Sequence, residues 1–425
     1  NEYTTLTADA AAGVTSLFVA SNNLNTNGRF GGALAEGDLI LIIQMQGATI
    51  NGQLHPTFGD VCDPNNSTWG SINSLGNCGN YEYVEVSGVT GGSIINLRCG
   101  LENSYTSAGN VQIVRVQRYS DLTVNGAGNM TAEAWNGATG GICAVEVEGN
   151  STIDGTIDVS MLGFRGGQAA GNDAPTSDFN FNWHAGTTQD KGGEKGEGVV
   201  GDWADYDLVG GRYAKGAIGN AGGGGSSHNS AGGGGANASN GTYTWTGVGI
   251  PDFTTGIYGT CFALEGLTPG SESSGGGRGG YAWSGTDRDE SIVAPGDALW
   301  EGHNRNPIGG FGGRDLDYST GKVFAGGGGG GGHENDQDGG RGGNGGGLVF
   351  FMAHGNITGT GSILADGEDG EGSEGDVPGF GQVENKDGSG GGGGGGAIII
   401  NNSVAIAGVI ISASGGDGGN QVLAF

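Results

Sequence analysis

GGGGGGGHENDQDGGRGGNGGG, residues 326–347, is the stretch that decides the fold. Seven consecutive glycines lead through a polar bridge into a run in which two glycines alternate with one other residue. The same Gly-Gly-x triplet recurs at 276–281, 309–314 and 415–420. A period of three fits an extended helix of the polyproline II type, with three residues per turn and two faces free of side chains. Such helices can bond backbone to backbone, so the sequence predicts a bundle of polyglycine II helices.

A flexible linker, collagen and a phosphate-binding loop are the alternatives for such a composition. Linkers are rich in serine and poor in aromatic residues, whereas Tyr281 and Phe311 lie within the triplets. Collagen needs abundant proline, and this chain has 101 glycines but 8 prolines. A phosphate-binding loop needs Gly-Lys followed by Ser or Thr, but Gly321-Lys322 is followed by Val323. An ordered glycine bundle is therefore the favoured interpretation.

The charge balance limits the classes of partner. The chain of 425 residues has a formal net charge of −29. This charge argues against nucleic acid and anionic membranes, whose protein partners carry basic patches, and it leaves room for divalent cations. No apolar run reaches the length of about 18 residues that a membrane span needs, so none is predicted. The chain opens at Asn1 without Met, which is typical of a processed N-terminus, although a trimmed chain would look the same.

The cysteines do not form a disulfide scaffold, because there are only five of them and they are scattered. Cys62 and Cys78 bracket a polar loop and are the predicted disulfide pair, which would indicate an oxidising compartment. Cys143 lies in an apolar strand, where a buried free thiol is expected. The pairing of Cys99 and Cys261 stays open. No Cys-x-x-Cys or His-x-x-x-His spacing occurs, so zinc is not supported.

Residues 1–115 are predicted to form a small β-barrel or sandwich, because short apolar strands alternate with Gly and Asn turns. The sequences GDLILIIQMQG (37–47) and YEYVEVSGVTGGSIINL (81–97) are typical of this part. With them, the first quarter of the chain resembles an N-terminal module of large secreted surface proteins from gliding, type IX-secreting bacteria. The resemblance implies an extracellular or cell-surface location.

A weak repeat of strand, Asn or Gly turn, strand and glycine-rich exit predicts a parallel β-solenoid over 116–425. The four units begin near Val111, Gly141, Gly347 and Ala397. Two glycine-rich inserts, at about 166–346 and 366–396, would leave from the same end of their repeats and bundle on one side. The predicted fold class is all-β: an N-terminal small β-barrel or sandwich, then a parallel β-solenoid with an inserted polyglycine II helix bundle.

Aromatic residues concentrate in the first insert, and its tryptophans are the predicted ligand-binding residues. They are Trp183, Trp203, Trp245, Trp283 and Trp300. Exposed aromatic rings stack on sugars and anchor interfaces at a low entropy cost. The alternative is structural: large aromatic side chains are usually mostly buried, and these could cover a bundle that has few side chains of its own.

Carboxylates crowd among glycines in DGEDGEGSEGD, residues 366–376. Oxygen-rich loops suit calcium, so Asp366, Glu368, Asp369 and Glu371 are candidate calcium ligands. The segment does not match the EF-hand pattern, and solvated acidic turns remain the alternative.

Catalysis is not expected, because no nucleophile, base or metal motif is present. Parallel β-solenoids also host polysaccharide-acting enzymes, which need paired carboxylates. Asp154 and Asp158 share a strand face but would lie about 13 Å apart at the rise of a strand, too far for such a pair. A polysaccharide-acting β-helix enzyme is therefore the lower alternative.

The Gly-Gly-x triplets and the two heptaglycine runs also resemble the polyglycine II regions of phage tail-fibre adhesins. That resemblance implies receptor binding by the loops that join the glycine helices, which here are the Trp-bearing loops. The predicted function is a secreted, non-catalytic cell-surface adhesin or structural surface protein that binds a surface glycan or a protein receptor. The alternative is a self-assembling extracellular filament or sheath subunit, which would self-associate through an unpaired solenoid end. Ice binding, which calls for a flat Thr-rich face, ranks last.

Overall fold

The computed structural model describes residues 1–51, 70–171, 192–225, 230–238, 276–277, 279, 309–334, 339–373, 387–402 and 404–420. Nearly all of this part is strand or extended backbone. Within it, the helical segments are the 3₁₀ turn Ser107–Gly109 and the short helix α1 (Trp203–Leu208). A capping box fixes the start of α1, because the Asp202 side chain accepts from the backbone of Asp205 and the Asp205 side chain accepts from the backbone of Asp202.

The N-terminal module is one curled antiparallel sheet. The first eight strands are β1 (Glu2–Thr5), β2 (Ser16–Phe18), β3 (Leu39–Gln44), β4 (Thr49–Ile50), β5 (Ile72–Ser74), β6 (Tyr81–Thr90), β7 (Ile94–Leu97) and β8 (Val111–Arg115). Six of them form the sheet in the order β1-β8-β3-β6-β7-β2, and β4 pairs with β5. The sheet curls until its edges meet, where Leu6 bridges Val19. We call this module the half-barrel.

Strand β3 is buried on both faces, and this burial explains its unbroken apolar sequence. Ile40 and Ile42 belong to the core inside the half-barrel. Leu41 and Ile43 belong to a second core that the half-barrel shares with the following module. The two modules therefore pack against each other through a shared side-chain core.

Twelve strands make the parallel β-solenoid that follows. They are β9 (Gln117–Tyr119), β10 (Leu122–Val124), β11 (Asn129–Thr131), β12 (Ile142–Val147), β13 (Ser151–Ile153), β14 (Thr156–Asp158), β15 (Leu348–Ala353), β16 (Ile357–Thr358), β17 (Ser362–Leu364), β18 (Ala397–Asn402), β19 (Ile406–Ala407) and β20 (Ile410–Ser412). Each of four coils gives one strand to each of three parallel sheets, β9-β12-β15-β18, β10-β13-β16-β19 and β11-β14-β17-β20. The predicted all-β fold class is confirmed.

The solenoid core is built from stacked identical positions. Val145, Phe351 and Ile400 follow one another in register through the first sheet. Both glycine-rich inserts leave after the third strand of a coil, one after β14 and one after β17, and return at the first strand of the next coil. The inserts therefore stand on the same corner of the solenoid.

The inserts form extended helices that bond to one another with a period of three residues; we call them glycine helices. The central glycine helix is the heptaglycine run 326–332, and all seven of its N–H groups and all seven of its carbonyl groups are paired. Its N–H groups donate to carbonyl oxygens in the segments 340–346, 230–236 and 194–197. Its carbonyl groups accept from backbone N–H groups in the segments 164–170, 222–225 and 391–394. The helix therefore has six neighbouring segments, and successive residues bond to successive neighbours. This is the packing of a three-fold helix.

A buried polar cluster ties the three modules together at Glu197, which is fully buried. Its Oε1 accepts from Trp135 Nε1 at 2.9 Å and from Gln46 Nε2 at 3.1 Å. Its Oε2 accepts from Arg165 Nε at 2.8 Å. Gln46 belongs to the half-barrel, Trp135 to the link between the first two coils, and Arg165 to the bundle. A buried carboxylate satisfied on both oxygens holds these parts in one arrangement.

Candidate binding site

A groove of about 710 Å³ opens where the half-barrel meets the first sheet of the solenoid, and we call it the junction groove. It is lined by Arg118, Tyr119, Ser120, Glu146, Glu148 and His354. Arg118 spans the two modules, because its Nη1 donates to the carbonyl oxygen of Gly37 at 3.1 Å. Binding sites often lie at such junctions between modules.

Strand alternation explains why a carboxylate stands at the floor of the groove. In β12, Val145 and Val147 face the solenoid interior, so Ala144 and Glu146 face outwards. The half-barrel covers Ala144, which belongs to the shared core. Glu146 lies one step further along the strand and opens into the groove. The edge of the half-barrel therefore decides where the outer face of β12 becomes accessible.

Glu146 lies between the guanidinium of Arg118 and the imidazole of His354. Its Oε2 accepts from Arg118 Nε at 2.5 Å, and its Oε1 lies 3.3 Å from His354 Nε2. The Glu146 side chain is 17% exposed, whereas that of His354 is 60% exposed. The carboxylate is thus fixed in place, while the imidazole and the rest of the guanidinium face solvent with donors to spare.

Successive coils place further polar groups side by side along the groove. Ser120, Glu148 and His354 directly follow β9, β12 and β15, which are neighbours in one parallel sheet. All three are exposed. Together they offer a carboxylate, a hydroxyl and an imidazole. This mixture suits a ligand with many hydroxyl groups, such as a sugar.

The sequence alone does not predict this site. Glu146 and Glu148 were visible only as the polar positions of a strand, and Arg118 and His354 belong to other repeats. One feature of the sequence could have identified them: all four lie in, or directly after, the first strand of a coil.

The four predicted calcium ligands have other partners. Asp366 Oδ1 accepts from the backbone of Ser414 at 2.6 Å, and Asp369 Oδ1 accepts from that of Asp417 at 2.8 Å. Glu368 accepts from Asn344 N at 2.9 Å and pairs with Arg341, whose backbone N–H donates to Glu371. These carboxylates bond to the backbones of neighbouring glycine helices.

Within the described ranges, no three His, Cys, Asp or Glu side chains are grouped so that they could hold a metal ion. In the described residues, the four predicted calcium ligands are therefore not brought together as one group. The physical reason is the three-residue period of the helix. Asp366 and Asp369 lie on one face and Glu368 and Glu371 on another, so the four carboxylates diverge instead of converging.

Among the five predicted binding tryptophans, Trp203 is the one that the structure describes. It is half-buried, its Nε1 donates to the carbonyl oxygen of Lys195 at 3.1 Å, and the Arg165 guanidinium lies 4.6 Å from its ring centroid. Trp203 thus packs on the bundle, as the structural alternative expects. Trp183, Trp245, Trp283 and Trp300 lie outside the described residues, and their role stays a prediction.

Of the predicted disulfide pair, Cys78 is a free, fully buried thiol, and Cys62 lies outside the described residues. The Cys78 Sγ donates to the carbonyl oxygen of Met45 at 3.2 Å, and burial raises the pKa of this thiol to about 12. Cys143 is a buried free thiol in β12, and burial raises its pKa to about 11. Cys99 is a free, exposed thiol.

The carboxylates weighed for catalysis stabilise turns. Asp154 Oδ1 accepts from the backbone of Thr360 at 3.1 Å, and Asp158 Oδ1 accepts from that of Ser160 at 2.8 Å. Asp154 thus bonds to the neighbouring coil, whereas Asp158 bonds within its own turn. Among the described segments, no helix is long and apolar enough to cross a membrane.

Comparison with known proteins gives little help. No family model and no curated protein matches this sequence. The solved structures that match include the tailspike gp49 of Pseudomonas phage LKA1, with 14% identity over 36% of this chain and 21% of that one and a TM-score of 0.16. The tailspike gp61 of Pseudomonas phage phi297 has 14% identity over 38% of this chain and 21% of that one, with a TM-score of 0.17.

A third match is the gp54 tailspike of Acinetobacter baumannii bacteriophage AP22, solved in complex with a capsular saccharide of A. baumannii. Its identity is 15% over 42% of this chain and 26% of that one, with a TM-score of 0.15. This chain therefore spans about a quarter or less of the length of these tailspikes. TM-scores this low carry no argument about function.

Proposed function

We propose that this protein is a non-catalytic, secreted cell-surface adhesin that binds a surface glycan in the junction groove. The observation that carries the proposal is the groove itself. It combines a fixed Arg118–Glu146 pair with the exposed Glu148 and His354 on adjoining strands. Hydroxyl groups of a sugar would accept from the guanidinium of Arg118 and donate to the carboxylates.

The scaffold supports this role because the groove residues lie on or next to neighbouring strands of one parallel sheet. Arg118, Glu146 and Met352 lie in register on three parallel strands. A parallel, in-register ladder holds neighbouring side chains at constant spacing, and preorganised groups bind at a lower entropy cost. The tryptophan-bearing loops of the first insert are the second ligand-binding surface that we propose. A protein receptor in place of a glycan would use the same loops.

Glycan binding is tested with purified protein on an array of bacterial surface polysaccharides, followed by calorimetry on any ligand found. Glu148→Gln keeps the size of an exposed side chain and removes its charge. We expect it to weaken binding about tenfold, because a hydrogen bond to a charged group contributes about 1.5–3 kcal/mol. The matched control is Glu102→Gln, an exposed carboxylate outside the groove, which should bind as the wild type does.

Three outcomes separate the parts of the proposal. Equal binding by the Glu148→Gln variant and the wild type would remove the junction groove from the proposal. Loss of binding in Trp183→Ala or Trp245→Ala, with the groove variants unaffected, would move the site to the insert. Release of reducing ends from a bound polysaccharide would show that the protein is an enzyme.

The filament alternative also rests on an observation. The last coil leaves the solenoid core open: Ile406 and Ile411 are 41% and 46% exposed, whereas their register partners Ile357 and Ile363 are fully buried. Among the described strands, β18 to β20 and β9 to β11 each have a neighbour on one side only. Such ends can join head to tail, and a head-to-tail contact that does not close generates filaments.

Electron microscopy at rising protein concentration tests this alternative. If the open core joins copies, ordered fibres should form in the wild type and disappear in Ile411→Lys, which places a charge on the exposed isoleucine. Glu102→Lys, which places the same charge far from the solenoid end, should leave the fibres intact. Discrete particles at every concentration would leave the adhesin as the better hypothesis.

A further inference from the structure

Among the described residues, one position in the glycine bundle is not occupied by a helix. The glycine helix at 388–396 bonds in three directions, as a three-fold helix must. The N–H groups of Gly391 and Gly394 donate to the central glycine helix, and those of Gly390 and Gly393 donate to the helix at 365–371. The third face carries the N–H groups of Ser389 and Gly392. Within the described part of the chain, these two groups have no hydrogen-bond partner.

A complementary gap lies on the neighbouring glycine helix at 230–236. Its carbonyl groups at Gly233 and Gly234 accept from other glycine helices. Those at Gly232 and Gly235, three residues apart on one face, have no donor among the described residues. Among the described residues, the helix at 388–396 thus has N–H groups without acceptors, and the helix at 230–236 has carbonyl groups without donors. In both helices these groups recur every three residues, which is the period of a glycine helix.

Both open faces border the same groove, of about 410 Å³, which we call the vacancy groove. Its walls come from the segments 230–236, 276–277 with residue 279, 388–396 and 413–420, and all but two of the lining residues are glycines. The walls therefore present backbone amides and almost no side chains. Buried backbone groups are rarely left without partners, so an occupant that pairs with them is the expected completion of the site.

We propose that the vacancy groove binds an extended, cationic Gly-Gly-x segment of another polypeptide as one further three-fold helix. Such a segment would accept from Ser389 and Gly392 and donate to Gly232 and Gly235, continuing the bonding that every other neighbour in the bundle makes. Glycine is required on the two faces that meet the walls, where a Cβ would collide with backbone. The third residue of each triplet faces solvent, and the net charge of −29 favours Arg or Lys there.

The chain supplies substitutions that block this groove without disturbing the bundle. A Cβ built on Gly277 or Gly418, both of which line the groove, would meet no atom within 4 Å. Gly277→Leu and Gly418→Leu therefore place a side chain in the open space itself. Gly31 is equally open but lies in the half-barrel, so Gly31→Leu is the matched control.

The test is binding of a fluorescent (Gly-Gly-Arg)₄ peptide to the intact protein, followed by anisotropy. We expect saturable binding that weakens at least about tenfold in Gly277→Leu and in Gly418→Leu, since a drop of this size corresponds to losing one or two backbone hydrogen bonds. Gly31→Leu should bind as the wild type does. An (Ala-Ala-Arg)₄ peptide has the same charge but cannot meet the walls, so it should bind about tenfold more weakly.

Two results would overturn the proposal. Equal binding of the alanine and glycine peptides would show attraction by charge alone. Absence of saturable binding in the wild type would show that the groove takes no segment from another molecule, including the case in which this chain fills it. Glycan binding in the junction groove should be unchanged in Gly277→Leu, so the two proposals fail independently.

Discussion

The solenoid and the glycine bundle are two cores built on opposite principles within one chain. The solenoid stacks side chains: Val145, Phe351 and Ile363 are almost fully buried and fill its interior. The central glycine helix has no side chains, and its stability comes from complete pairing of its backbone. A side-chain core is damaged by removing atoms, whereas a backbone core is damaged by adding one.

The polar side chains inside the bundle serve the same purpose as its glycines. Asn237 Nδ2 donates to the carbonyl oxygens of Phe324 and Gly395, at 3.0 and 2.8 Å. Asn220 Oδ1 accepts from Val199 N at 2.8 Å. These side chains complete the backbone pairing where a glycine helix begins or ends. Polar groups can therefore form a stable interior when nearly every one of them is paired.

The largest expected effect is that of a single methyl group in the central glycine helix. A Cβ built on Gly329 would lie far inside contact distance of the Gly391 carbonyl oxygen, and backbone atoms cannot move aside as a side chain can. Gly329→Ala should therefore lower the free energy of unfolding by more than about 4–5 kcal/mol. Chemical denaturation measures this loss. Gly31→Ala, in open space, should change it by less than about 0.5 kcal/mol.

In the solenoid, the opposite change should be damaging. Ile363→Ala removes a fully buried side chain and should cost about 2–5 kcal/mol. Ile411, its register partner in the last coil, is 46% exposed, so Ile411→Ala should cost about 1 kcal/mol or less. The same denaturation experiment compares them. Equal costs would mean that the end of the solenoid is covered in solution.

Glu197 tests the contact between the two cores. Glu197→Gln keeps the shape but turns an acceptor into a donor facing Trp135, Gln46 or Arg165. A buried donor without an acceptor costs about 1–3 kcal/mol, so the free energy of unfolding should fall by that amount and the denaturation midpoint should fall with it. Glu102→Gln, on the surface, is the control. An unchanged midpoint would show that the three modules are held together without this cluster.

The smallest effect concerns thiols and does not change stability. Burial raises the pKa of Cys78 to about 12 and that of Cys143 to about 11, so both stay protonated and unreactive at pH 8. Iodoacetamide applied to the folded protein should modify Cys99 and spare these two, as peptide mass spectrometry would show. Without a reductant, denaturation should make the free Cys78 thiol available for modification, whereas its continued protection would indicate a bond to Cys62.

The sequence was informative wherever the period of the pattern matched the period of the structure. Triplets of glycine predicted helices that pack without side chains, and the repeated strand units predicted parallel coils. In both cases a local rule, three residues per turn or alternation along a strand, is visible in one segment alone. The candidate site could not be found in that way, because Arg118, Glu146 and His354 come from three different coils.

The sequence by itself therefore determined which segments form a core of side chains and which form a core of paired backbone. Only the tertiary structure decided which neighbours each segment has. It turned the acidic run at 366–371 into backbone acceptors by placing glycine helices on two of its faces. It opened the outer face of β12 at Glu146 because the half-barrel ends there. The physical reason is that backbone period depends on neighbours in sequence, whereas burial, pairing and empty positions depend on neighbours in space.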